Sequence, residues 1–326
     1  MRAVVEWWDR RQVALYLFAL AAGAAVGLAL PGAAPALEHA IEPLLMLLLF
    51  ATFLGVPLIE VGRAFRDLRF VGTVLVANFV VVPVIAWGLS RFVADDRGLL
   101  FGVLLVLLAP CIDYVIVFTG LAGGAQSRLL AATPLLMLAQ IVALPAYLFL
   151  FTGGGTLGAI DAGPFVRAFV LLVVIPLAGA AIVQAVARRH PGGVVAENVM
   201  AGAMVPLMMA TLAVVVGSQI AVVGAEAVAL LRLVPLYAAF VVLAVTIGVI
   251  TGRVARLDAP ATRAVVFSAA TRNSLVVLPL ALALPDSLRL APLAVVTQTL
   301  VELVAMVILV RVVPRLVPSG EGGRSA

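Results

Sequence analysis

Three ionisable residues stand inside otherwise apolar runs: Asp113, Arg272 and Glu302. Charges within a bilayer are costly, and they face a cavity, a partner or an ion path. Cys111 lies two positions before Asp113 and directly after Pro110, in the run LLFGVLLVLLAPCIDYVIVFTGLAGG. Pro110 removes a backbone donor and disfavours helical geometry at Ala109, so this helix is expected to break near mid-span. The amides exposed at such a break favour a thiolate at Cys111. Asp113 and Glu302 are acidic groups of the kind that carry protons through membranes.

Arg272 and Asn273 interrupt a second apolar run, VVFSAATRNSLVVLPLALALP, together with Ser268, Thr271 and Ser274. The arginine is a permanent cation, and Asp113 is its expected counter-charge at the other break. Gln298 lies one turn before Glu302 on the same helix face. Intramembrane amides also glue helices together, so Asn78, Gln140 and Gln298 are read as supporting polar groups. The expected substrate contacts are Cys111, Asp113, Arg272 and Asn273, and the expected coupling groups are Glu302 and Asp113.

The elements that must position these residues follow from composition. Of 326 residues 64% are hydrophobic and 11% charged, with mean hydropathy +1.24. A soluble domain is about half apolar and a quarter charged. The chain therefore reads as an all-α polytopic membrane protein in a single domain spanning 1–326, embedded in a lipid bilayer. Ten apolar segments are expected at 13–30, 41–59, 70–89, 99–120, 129–151, 165–187, 197–217, 233–251, 262–284 and 290–313. The first resembles a signal peptide, but its apolar run is long and its leader carries Glu6 and Asp9, so a retained helix is expected.

With the N-terminus inside, 15 arginines fall on one side of the membrane and 5 on the other. Positive-inside bias then places both termini in the cytoplasm of a multi-pass plasma-membrane protein. Pro134 and Gln140 are spaced as Pro292 and Gln298 are, which suggests two repeats at about 13–151 and 165–313. All 21 basic residues are arginines scattered between apolar runs, so no nucleic-acid partner is expected. One cysteine and two distant histidines give no metal-ligand spacing, and no cofactor or intramembrane enzyme chemistry is expected. A passive channel would carry a repeated pore motif, and none is present. A homo-oligomer is compatible with this reading.

The stretches NFVVVPVIAWGLS, LLAPCIDYVIVFTGLAGG and TLVELVAMVILVRV resemble the bile acid:sodium symporter superfamily, and within it the arsenite efflux permease branch. The resemblance implies ten helices in two inverted five-helix repeats, with broken fourth and ninth helices crossing at the substrate site. It also implies transport of metalloid or organic anions. By motif position the arsenite branch's fourth-helix cysteine falls on Cys111 and its tenth-helix glutamate on Glu302. The ninth helix departs from both branches: Thr271-Arg272-Asn273-Ser274 stands where sodium-coupled members have an acidic sodium ligand with nearby amides. The combined reading is proton-coupled efflux of arsenite or antimonite. The alternative is a carboxylate or bile-acid-like organic anion transporter of the same fold, with sodium coupling, in which Arg272 holds the carboxylate.

Overall fold

The computed structural model describes residues 2–55, 67–112, 114–152, 170–225 and 230–319. Among these, every regular element is helical. The elements are α1 (Arg2–Ala29), α2 (Ala34–Gly55), α3 (Leu68–Val76), α4 (Val82–Ser90), α5 (Arg97–Leu107) and α6 (Tyr114–Leu121). They continue with α7 (Gln126–Thr152), α8 (Ile175–Ala187), α9 (Pro191–Ala225), α10 (Leu233–Val254), α11 (Ala259–Ala270), α12 (Ser274–Leu282) and α13 (Leu290–Leu316).

Among the described residues, six helical stretches are long and apolar enough to cross a membrane: Pro31–Gly55, Leu68–Val93, Gln126–Thr152, Pro191–Ser218, Leu233–Val254 and Leu290–Leu316. The other expected segments fall outside this set for identifiable reasons. The expected fourth segment is cut into α5 and α6, and the ninth into α11 and α12. The apolar part of the first is shorter, Ala14–Ala29. The sixth begins at residues outside the described ones, as does the end of the second.

Aspartates set several helix starts. Asp67, Asp96 and Asp258 accept hydrogen bonds from the backbone N–H of Phe70, Leu99 and Ala261, at the starts of α3, α5 and α11. Each such cap is worth about 1 kcal/mol. Between α3 and α4 the chain widens into a π turn at Ala77–Val81. Pro83 has no N–H to give to the carbonyl four residues earlier, that of Phe79. The Tyr147 hydroxyl of α7 donates to that carbonyl instead. The π turn matters for the site because it holds Asn78.

The helices pack in two groups. α1, α2, α8 and α9 contact one another, while α10 and α13 are central to the second group with α5, α11 and α12. In the first group α1 and α9 approach backbone to backbone: a Cβ on Gly23 would lie 2.3 Å from the Ala213 carbonyl oxygen. Small residues permit such close packing where lipid replaces water. In the second group, buried Arg263 of α11 reaches the carbonyls of Ala122, Gly123 and Val317 and the hydroxyl of Ser319. Gly123 is in the left-handed region at φ 65°, and a Cβ there would lie 2.8 Å from the Arg263 Nη1. The LAGG turn after α6 is thus glycine-bearing because it wraps a guanidinium. At the periphery, Arg232 bonds Asp95 at 2.8 Å. That hydrogen bond holds the exposed Asp95 carboxyl below its ordinary range.

Candidate functional site at the crossing of two broken helices

The two breaks meet. Pro110 and Arg272 form an isolated antiparallel bridge. The Cys111 N–H donates to the Thr271 carbonyl at 3.2 Å, and the Asn273 N–H donates to the Ala109 carbonyl at 2.8 Å. Interrupting a helix orphans amides and carbonyls that must find partners when buried, and here each break supplies the other. The first break follows from Pro110. The second has no proline: Thr271 turns extended, at φ −101° and ψ 130°. Asn273 Oδ1 then accepts the Val276 N–H at 3.3 Å, capping the start of α12.

Arg272 is fully buried at this crossing. Its Nη2 donates to Asn78 Oδ1 at 2.8 Å and to the carbonyls of Ser268 at 2.6 Å and Ala269 at 2.8 Å. Its Nη1 donates to the Leu107 carbonyl at 3.3 Å. The Phe240 ring of α10 lies 5.6 Å from the guanidinium carbon. Leu107, Ser268 and Ala269 are in the last turns of α5 and α11, where carbonyls carry the negative end of the helix dipole. Asn78 is itself oriented, since its amide donates to Ser268 Oγ at 2.9 Å and to the Val74 carbonyl at 3.0 Å. Among the described residues, four oxygens therefore converge on one guanidinium, much as oxygens surround a coordinated cation.

Glu302 of α13 joins the same crossing through the backbone. Its Oε2 accepts the Arg272 N–H at 2.7 Å and also the Gln298 amide. Gln298 Oε1 is buried without a hydrogen-bond partner. Cys111 is fully buried within the first break, and its neighbour Ile112 lines both cavities beside the site. Asp113 lies outside the described residues.

The smaller cavity, about 30 Å³, is bounded by Phe53, Ile112, Gln140, Leu144, Asn273 and Leu280. It holds one water-sized group. Gln140 Oε1 and Asn273 Nδ2 are both buried, both without a hydrogen-bond partner among the described residues, and both belong to this cavity's lining residues. An unmet acceptor and an unmet donor on residues lining one cavity suit a hydroxyl group, which gives one hydrogen bond and takes another. The larger cavity, about 550 Å³, is lined by residues of α1, α2 and α9, among them Tyr16 and Thr52, and by residues of α6 and the start of α7, among them Ile116 and Gln126.

The structure thus brings Asn78, Arg272, Gln298 and Glu302 to one crossing and Gln140 and Asn273 to one cavity. Arg272 is not among the residues lining either cavity. Sequence reasoning missed Phe240, since an aromatic residue in an apolar run carries no signal. It also passed over Ser268 as an orienting group and Glu197 as a cavity residue.

A sequence model of the Sodium Bile acid symporter family matches residues 42–226, more than half of the chain. The chain belongs to the sodium bile acid symporter family. Members of that family are membrane transporters, and the long apolar helices agree with a multi-pass membrane protein. No curated protein matches the chain.

Proposed function

We propose that this chain is a sodium-independent secondary transporter in which the Arg272 guanidinium permanently occupies the place of a coupling cation. The observation that carries this reading is the shell of three helix-end carbonyls and Asn78 Oδ1 around that guanidinium. Half-helix carbonyl ends in transporters attract cations. A sodium ion entering here would face a fixed positive charge at a few ångströms, a repulsion of about 4 kcal/mol at 4 Å and an effective dielectric near 20.

The transporter has ten crossings in two inverted five-helix repeats, lies in the plasma membrane and keeps both termini in the cytoplasm. Corresponding helix starts support the repeats: Leu68 and Leu233, Arg97 and Ala259, Tyr114 and Ser274, and Gln126 and Leu290 are separated by 160 to 165 residues. The arginine asymmetry supports the orientation.

The substrate is arsenite or antimonite, exported in exchange for protons. Arsenite is an uncharged trihydroxide near neutral pH. Cys111 supplies the soft ligand at the break, and the Gln140–Asn273 pair supplies the hydroxyl contact. One thiolate gives weak, reversible capture, which suits transport. Glu302 is the proton carrier, since it alone bridges α13 to the backbone of the second break among the described carboxylates. The organic anion reading needs Arg272 to meet a carboxylate, and the engaged, fully buried guanidinium speaks against it. The test is arsenite uptake into everted vesicles. Cys111→Ser should lose at least most of the uptake at unchanged protein level. Full uptake in the serine variant overturns the metalloid assignment.

A further inference from the structure

The larger cavity has an electrostatic asymmetry that the transport reading leaves unused. Its α9 wall presents Glu197, Ala201, Met204, Val205 and Met208. Their offsets of four, seven, eight and eleven residues from Glu197 place them on one stripe of the helix. The other described lining residues are apolar or uncharged, with Tyr16, Thr52 and Gln126 as their polar members. Glu197 is half-buried and is the one residue with a formal charge among the described residues lining the cavity. Arg188 and Arg189 precede α9, are exposed and are not among the lining residues.

We propose that Glu197 makes this chamber a charge filter that admits uncharged and cationic solutes and turns anions back. The inference rests on the transport reading only in treating the chamber as part of the substrate path. The physics is that of a cleft with one sign of charge and low-dielectric walls, which concentrates field lines and shifts the local concentration of charged solutes. A fixed carboxylate lowers the occupancy of an anion and raises that of a cation by the same factor, while a neutral solute is indifferent. The substrate class is then a small uncharged or positively charged molecule. A neutral trihydroxide passes such a filter, whereas a carboxylate or sulfonate is opposed by it. Met204 and Met208 add polarizable thioethers to the same wall without adding charge.

The test reads the chamber's field directly and needs no substrate. Ala201→Cys places a thiol one turn from Glu197 on the chamber stripe, and Met204→Cys provides a second reporter two turns away. Each is labelled in proteoliposomes with a cationic trimethylammonium methanethiosulfonate and an anionic sulfonate methanethiosulfonate. Reaction of the parent chain, whose single cysteine is Cys111, is subtracted. The cation-to-anion rate ratio, normalised to the same ratio for a free thiol in solution, should exceed unity by about five- to tenfold at low salt. Glu197→Gln should return it to near unity, and Glu197→Asp should keep most of it. A ratio near or below unity with Glu197 present, or a ratio that Glu197→Gln leaves unchanged, overturns the filter. A loss of the ratio in Glu197→Gln alongside an absence of arsenite transport in every vesicle would keep the filter and overturn the metalloid reading.

Discussion

Replacing Arg272 by glutamine should convert a sodium-indifferent protein into one that sodium stabilises. The guanidinium donates to four buried oxygens, those of Leu107, Ser268, Ala269 and Asn78. A buried acceptor stripped of its partner costs about 1–3 kcal/mol. The glutamine amide reaches one or two of the four, and water entering the vacated volume satisfies part of the rest. The net loss should be about 3–5 kcal/mol, within the range for removing one member of a buried charged network. For a chain of this size that corresponds to a fall in Tm of roughly 4–7 °C. The vacated shell is then a set of oxygens lacking a cation. Sodium at about a hundred times its Kd should restore about 2.7 kcal/mol by mass action. The assay is thermal unfolding of the purified protein in detergent, in sodium chloride against choline chloride at equal ionic strength. Wild type should melt at the same temperature in both salts, and Arg272→Gln should melt higher in sodium. An unchanged Tm in the variant would refute the energetic importance of the guanidinium. A wild-type protein stabilised by sodium as strongly as the variant would refute its role as resident cation.

Three further outcomes follow from the same geometry. Glu302→Gln keeps the side-chain shape and an acceptor for the Arg272 N–H; arsenite binding to the purified protein should persist while uptake driven by a pH gradient in vesicles is lost. Arg263→Ala strips a buried guanidinium from the Ala122, Gly123 and Val317 carbonyls and should cost about 2–4 kcal/mol, read as a lower Tm and faster proteolysis of the C-terminal tail. Asp95 has its carboxyl held low by Arg232, so its small contribution is present above the ordinary carboxylate range and lost as pH falls through the lowered value; Asp95→Asn should leave Tm versus pH flatter across that acidic interval and unchanged at the acid end.

Much of the architecture is legible in the residues because a bilayer imposes few choices. Long apolar runs must become helices, and Pro110 announces the first break by removing a donor. The second break is harder to read. It is made by Asn273 acting as a cap after Thr271 turns extended, and an Asn-Ser pair in an apolar run can equally stay helical. The candidate site divides in the same way. Arg272, Glu302 and Asn78 stand out because charged and amide groups are rare in such runs. Their pairing does not follow from spacing. Asp113, the expected counter-charge of Arg272, lies outside the described residues; among the described ones the guanidinium meets helix-end carbonyls and Asn78, and Glu302 meets the Arg272 backbone N–H. Which oxygens surround a buried cation depends on where two breaks cross, a long-range fact. Phe240 has no polar signature at all, and Glu197 is noticed only once the α9 stripe is seen to face a chamber.

The central claim is that a fixed guanidinium occupies the cation position at the crossing. Its most direct test is transport by the wild-type chain reconstituted into vesicles, driven by an imposed pH gradient, with all sodium replaced by choline. The account requires the same initial rate in both salts. A rate that collapses in choline and returns with sodium would contradict it and assign this chain a sodium-coupled cycle.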